Sequence, residues 1–379
     1  MINNKRRIGF WGFILRLINI LLIIALLFSY LAQWISPSHF WPIAFFGMAY
    51  PAIATLNLLF VFHWIIRRRK FVIYPSIALL IGIGMISRFI GIGSNMEMAN
   101  NRYQLKVLSY NVHVFGRYIK EHKENRHYER DQIIQFVKEQ QADIVCMQEF
   151  RSLDKSDSEN NLKKFKNECG FKYHYAENYC PKSENFYQVI FSKYPIKYSG
   201  YILSLENNSE RTGIFADIEY RGKIIRVYSI HLQSFQISSD IYLIQNNLNN
   251  LDITKAENQA QLKKTSKFFT KKFKIAFDKR AKQIEALKEH MDKSPYPIIL
   301  AGDFNDTPNS YAYGQLIQEL EDAFVENGSG FGQTYIGPYP SFRIDFIFHS
   351  PEFDNIKFNT LKVRYSDHYP ITATFSLAK

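Results

Sequence analysis

Acidic residues are almost missing from the first quarter of this 379-residue chain. Residues 1–102 contain ten Lys and Arg but a single acid, Glu97. The overall net charge of +12 comes mostly from that stretch, because the remainder carries 37 basic and 34 acidic residues. High basicity is therefore no argument for nucleic-acid binding by the chain as a whole. Cysteine is scarce too. Cys146, Cys169 and Cys180 exclude a disulfide framework and offer no CxxC metal site. Cys146 lies in the apolar run "DIVCMQEF" and reads as core, while Cys169 and Cys180 are able to pair in an oxidising compartment without any spacing that requires it. No internal repeat is visible, which excludes a solenoid.

Long uncharged runs fill the acid-poor quarter. Residues 17–35, 40–66 and 71–87 hold no charged side chain, and the last run continues past Arg88 through "FIGI". A bilayer core needs roughly 20 apolar residues in helix. The hydropathy therefore predicts three transmembrane helices, at about 17–35, 40–66 and 71–92. A cleaved signal peptide is the alternative for the first, but its apolar region would be too long and two further runs follow. Lys5, Arg6, Arg7 and Arg16 flank the first run, and Arg67 to Lys70 ("RRRK") separate the second from the third. The positive-inside rule puts both clusters in the cytoplasm. Three spans then leave everything beyond residue 93 outside the plasma or inner membrane, in a bacterium the periplasm. A linker is expected over 93–104, and a soluble domain over 105–379.

That domain reads as mixed α/β. "LKVLSYNV", "DIVCMQEF", "KYHYAE", "FYQVIFS", "GIFADIEY", "IIRVYSIHL", "YPIIL", "RIDFIF", "KFNTLKVRY" and "ITATFSL" have strand character, and "ERDQIIQFVKEQQ" and "YAYGQLIQEL" helical character. Phe269, Phe273, Phe277, Ile284, Leu287 and Met291 recur at helical steps in a Lys-rich segment, which predicts one long amphipathic helix. Its basic face suits anionic lipid, a nucleic-acid backbone or plain solvent. Strands crowd together late in the chain without long helices between them. That pattern favours two packed sheets flanked by helices over a doubly wound parallel sheet.

Polar residues recur where these strands end: Asn111, Glu149, His231, Asp303 and Asn305, with Asp345 in "RIDFIF" and Asp367 and His368 before the last strand. Singly, each is an ordinary turn former or a structural histidine. Together they supply amides, carboxylates and imidazoles sufficient for an oxygen-ligand metal site with phosphate contacts.

The series SYN, QE, HL, GDFN, RID and SDH resembles the endonuclease/exonuclease/phosphatase superfamily, over essentially all of residues 105–379. The resemblance implies a four-layered α/β sandwich and a Mg²⁺-dependent phosphoesterase, with Mn²⁺ as substitute. By that resemblance Glu149 would be the main metal ligand, with Asn111 beside the metal or phosphate. Asp303 would orient or deprotonate the attacking water, positioned by Asn305. His368, oriented by Asp345, and His231 would contact the phosphoryl oxygens together with Asn305, and Asp367 would hold metal or brace the network. Arg280 and Gln283 also match a family spacing and read as structural. His113 stands where abasic-site endonucleases carry an acid, which turns the reading away from DNA repair. The expected substrate is a phosphodiester, with nucleic acid and a lipid headgroup as rivals (phospholipase C or sphingomyelinase-like in the second case). An inactive membrane-tethered binding module is the reading from another class, and no protein partner is indicated.

Overall fold

A computed structural model describes residues 9–93, 103–116, 127–153, 160–179, 185–203, 211–235, 256–337 and 342–377. Two six-stranded sheets face each other. In the first, β13 (Phe353–Thr360), β14 (Ile371–Leu377), β2 (Gln104–Asn111), β3 (Ile144–Arg151), β5 (Phe186–Ser192) and β4 (Tyr173–Asn178) lie in that order. In the second the order is β10 (Glu321–Asp322), β12 (Asp345–His349), β9 (Ile298–Asp303), β8 (Lys223–His231), β7 (Arg211–Tyr220) and β6 (Ile196–Leu203). Strand β6 has no counterpart in the sequence reading. Only β2 with β3 and β8 with β9 run parallel; every other neighbouring pair in these two sheets is antiparallel.

Alternation along the strands builds the layers. Leu105 and Val107 of β2 face the space between the sheets with Ile225, Val227, Ile299 and Ala301. Leu108 and Tyr110 face the other way, onto Ile133, Ile134 and Val137 of α6 (Tyr128–Gln140) and Phe165 of α7 (Asn161–Cys169). Across the molecule, Tyr228, Leu300 and Phe348 meet Ile284 and Leu287 of α8 (Ala256–Met291) and Leu316 of α9 (Tyr311–Leu316). Helix, sheet, sheet, helix is the four-layered sandwich expected. Cys146 is core, and the Cys169 thiol lies 3.5 Å from the Ile134 carbonyl. Cys180, its suggested partner, lies outside the described residues.

The N-terminal quarter departs from the three-span expectation. Among the described residues, one helix is long and apolar enough to cross a membrane, α1 (Phe10–Leu31). The second run breaks at Ala49 into α3 (Pro42–Met48) and α4 (Tyr50–Ile66), bent by 63°, and is a span only if that pair counts as one. Its two prolines, Pro42 and Pro51, each start a helix because proline lacks the N–H that a helix interior needs. The third run is a short apolar helix over Lys70–Ile81, closing in α5 (Ile73–Ile81), and is about 18 Å long. That is too short for a bilayer core of about 30 Å. Hydropathy measured the apolar runs correctly but not their breaks. Residues Ile90–Ile92, expected at the end of a span, instead form β1, antiparallel to β11 (Ser329–Phe331).

These N-terminal helices are tied to each other by a polar cluster and to the sandwich by several contacts. Trp64 donates to Asn19 (2.8 Å), and Asn57 donates to the Leu22 carbonyl (3.0 Å). Toward the sandwich, Asn309 donates to the Ser29 carbonyl (3.0 Å), and Arg88, held by Gln33 (3.0 Å), donates to the Pro308 carbonyl (3.4 Å) and lies over the Tyr313 ring. A Cβ on Gly47 would stand 2.6 Å from the Asn309 carbonyl oxygen, so this approach requires glycine.

At the far end of β12, the fully buried His349 sits 2.7 Å from Glu326 of α10 (Ala323–Asn327). Burial opposes its charge, but the Glu326 carboxylate, the Ser350 carbonyl and Glu321 overcome that and hold its pKa above the ordinary value. The pair therefore stabilises the fold fully below about pH 6.5 and loses that stabilisation as pH rises through the raised pKa. The thermal midpoint of the wild type should fall over that window. Glu326→Gln should flatten the fall and cost about 1 kcal/mol at pH 6, a figure kept low because Glu326 is partly exposed. Identical pH profiles for the two proteins would remove His349 as the cause.

Candidate active site

The parallel pairs place four strand ends side by side. Asn111 ends β2, Glu149 lies near the end of β3, His231 ends β8 and Asp303 ends β9, with His231 directly beside Asp303. Asp345 opens β12 as the antiparallel partner of Asp303, and His368 precedes β14. Backbone irregularity marks the same rim. Glu149 has φ 51° within a break in the β3–β5 register, and Asn305 also has φ 51°. Non-glycine residues seldom adopt this conformation, and it concentrates where function requires a side chain to be aimed. Gly302 answers a different need, since a Cβ there would meet the Ile230 carbonyl oxygen.

Asp303 is the centre of the arrangement. It is buried, and it accepts from the Asn305 backbone N–H (2.7 Å), Asn305 Nδ2 (3.2 Å) and Asn111 Nδ2 (2.9 Å). Asn111 Nδ2 also reaches Glu149 (3.2 Å), joining the two carboxylates. His368 stands with Nε2 3.7 Å from Asp303, while its Nδ1 is bonded to Asp345 at 2.9 Å. Asp345 is held in turn by its N–H donating to Thr334 Oγ1 (3.1 Å). His231 Nε2 is buried without a hydrogen-bond partner among the described residues, 3.6 Å from both Glu149 and Asp303.

Burial pushes the Asp303 pKa above the usual carboxylate range, against the pull of His368 and His231. His368 moves in the direction that complements it. Burial would lower its pKa, but Asp345 and Asp303 raise it well above the ordinary histidine value. The result is an imidazolium held between two buried carboxylates.

At this rim two carboxylate groupings offer themselves to a metal; a third, Glu321 and Glu326 with His349, lies at the far end of β12. Oxygens of Asp303 and Asp345 converge with a His368 nitrogen, but Nδ1 is already bonded to Asp345 and the ring carries the proton. Glu149 suits a cation better. Its carboxylate is partly open, and it faces a second carboxylate, an amide and the His231 ring. Hard oxygen donors of this kind fit Mg²⁺ or Mn²⁺.

A family model described as "Endonuclease/Exonuclease/phosphatase family" matches residues 108–368. The chain belongs to the endonuclease/exonuclease/phosphatase family. Its match spans the whole site, and a second model, described as a domain of unknown function, covers residues 12–89. No curated protein matches the chain. Among solved structures, an endonuclease/exonuclease/phosphatase family protein from Bacteroides thetaiotaomicron is 17% identical with TM-score 0.53, covering 74% of this chain and 100% of that one. A Bacteroides vulgatus family member is also 17% identical, with TM-score 0.51 and 73% and 100% coverage. A functionally unknown conserved protein from Enterococcus faecalis V583 is 14% identical, with TM-score 0.51 and 72% and 100% coverage. At such identities the likeness is one of fold.

Against the family pattern, the structure brings Asn111, Glu149, His231, Asp303, Asn305, Asp345 and His368 into one contiguous network. Asp367 stands at its edge. Its Oδ1 is 3.4 Å from His113 Nδ1, 3.3 Å from the Ser366 hydroxyl and 4.0 Å from His368. Asp367 thus has His113 as a close neighbour. Arg280 is buried and pairs with Asp306 (3.0 Å) while donating to the Gln233 carbonyl, and Gln283 accepts from the Gln233 N–H. Both residues thus brace the loops after β8 and β9. The sequence reading passed over Thr334 and Ser366. Ser366 bonds the Asn111 carbonyl (2.8 Å) and was visible as the first letter of SDH, whereas Thr334 carries no local signal.

Proposed function

We propose that this protein is a metal-dependent phosphoesterase acting on phosphodiesters, anchored to a membrane through its N-terminal helices. The observation that carries the reading is the buried Asp303 carboxylate. It is oriented by two asparagines and set beside an imidazolium that Asp345 fixes. In this reading Asp303 takes a proton from water held against it, with Asn305 fixing the angle of the carboxylate. Its raised pKa suits a general base, which works best near ambient pH. His368 Nε2–H and His231 donate to phosphoryl oxygens as negative charge builds on them. Glu149 and Asn111 would hold Mg²⁺, which supplies Lewis-acid stabilisation of that charge when bound.

The test is hydrolysis by the full-length protein in detergent. The panel holds single- and double-stranded DNA, RNA, phospholipids including sphingomyelin, and inositol phosphates. Activity on one class should vanish in EDTA, return with Mg²⁺ or Mn²⁺, and be absent in Asp303→Ala. Turnover that survives EDTA undiminished would rule out the metal-dependent mechanism. No turnover by a folded protein on any substrate would favour an inactive binding module.

A lipid substrate is the second reading, and one feature of the fold favours it. Three segments that border the site also lead to the N-terminal part of the chain, one directly to a helix, one through α8 and one through β1. Phe235, after β8, stacks on Phe273 and Phe277, which meet Phe45 of α3. Asn309, after β9, bonds Ser29, and β11, which leads toward Thr334, pairs with β1. The rim of the site therefore lies on the side where the apolar helices are.

A further inference from the structure

The Lys-rich first half of α8 plays no part in the site, and its placement gives it a partner. Residues 258–277 carry six lysines and no acid. At about 100° per residue, Lys263, Lys264, Lys267, Lys271 and Lys274 fall within roughly one quarter of the helix surface. All five are exposed. Phe268 and Ile275, each nearly half exposed, flank this arc on one side. The opposite face is committed, since Phe273 and Phe277 stack on Phe45 and Arg280 is buried against Asp306. Asp278, the first acid after the run, is taken by Lys282 at 2.9 Å and by the Ser38 hydroxyl.

Those contacts set α8 against α2 (Pro37–Phe40) and α3, the turn that follows the C-terminal end of α1. Large apolar side chains are exposed on that turn, Trp34 and Phe40 among them. Aromatic residues at the end of an apolar helix mark the headgroup level of a bilayer. A cationic arc with an apolar flank at that level has the character of an interfacial helix. A nucleic-acid duplex would be attracted by the lysines but keeps its bases stacked inside, so it would leave Phe268 and Ile275 uncovered, and Ile275 has no ring to stack on an unpaired base.

We propose that the Lys263–Lys274 face of α8 binds the anionic surface of the membrane into which α1 inserts. The inference rests on the membrane-anchored reading above. It adds a second attachment, made by the sandwich itself, which would fix the sandwich's orientation on the bilayer.

The test uses the full-length protein reconstituted into phosphatidylcholine vesicles with or without phosphatidylglycerol. Lysine acetylation rates are read by mass spectrometry. Phosphatidylglycerol should slow modification of the five lysines about five-fold at low salt, the factor expected for a lysine held near an anionic surface. High salt should restore the rates, and Lys357 on β13 should be unchanged throughout. Flotation of the same samples separates the two readings. Protein that floats with the vesicles but shows equal lysine rates in both overturns the second attachment alone. Protein that does not float overturns the anchoring and the inference together. Protection by an added oligonucleotide, with none from phosphatidylglycerol, would reassign the face to nucleic acid and overturn the proposal.

Discussion

Asp303→Asn should lower kcat by about 10²- to 10⁴-fold, the range a positioned general base supplies. Asparagine keeps the shape of the side chain and an oxygen to accept the Asn305 N–H, while its amide nitrogen replaces the oxygen that accepts from Asn111 Nδ2 and Asn305 Nδ2, a cost set against the relief of the buried charge. The same substitution removes a buried charge that burial disfavours, as the raised pKa of Asp303 records. A carboxyl whose folded pKa lies above its unfolded value costs stability once pH exceeds the unfolded value. The thermal midpoint at neutral pH should therefore hold or rise while activity collapses. Opposite signs in the two measurements identify a residue kept for chemistry at the expense of stability. If kcat stayed within a few-fold of wild type, the base would have to be sought elsewhere in the network. Falling activity together with a falling midpoint would instead make Asp303 a structural residue.

Asp322→Ala should have the largest effect on stability, about 3–5 kcal/mol, through the uncompensated charge it leaves. Arg343 is buried and grips Asp322 with two bonds, 3.1 and 2.6 Å. Tyr313 donates to the same carboxylate (2.8 Å), which also caps α10 through the Phe324 N–H (3.0 Å). Truncation strands the guanidinium among Phe324, Phe346 and Tyr313 and opens the cap together. The expected readout is a fall of about 10 °C in the thermal midpoint. The double variant Asp322→Ala/Arg343→Met should recover part of that loss, because the stranded charge is gone. A double variant no better than the single one would place the cost in the lost cap and hydroxyl bond. Arg343 precedes Asp345 by two residues, so activity should suffer in both proteins.

Much of this was legible in the chain, for local reasons. Strands β2, β3, β5, β7, β8, β9, β12 and β14 announce themselves by short apolar stretches between turn residues. The polar letters at their ends are the residues we propose for the site, because a strand that is buried to its last turn can carry chemistry only where it leaves the core. The whole of α8 from Phe269 onward was visible as a helical repeat of apolar residues. Strand β6 was not, since "IKYSGYIL" is half exposed and carries a glycine. The N-terminal helices were overcounted because apolar composition is a property of a window, while helix length is set by single breaks at Ala49 and beyond Ile81.

The sequence by itself determined the fold class, the family and the set of candidate site residues, because these reside in short segments with their own periodicity or motif. Tertiary structure alone decided which of them meet. Asn111 and Asp303 touch across 192 residues of chain, and His368 meets Asp345 only because β12 runs antiparallel to β9. It also gave Asp367 His113 as a neighbour. Likewise it laid the loop after Asp303 against the end of α1. Such contacts depend on which strands become neighbours and on packing between layers, and no local pattern of residues specifies either.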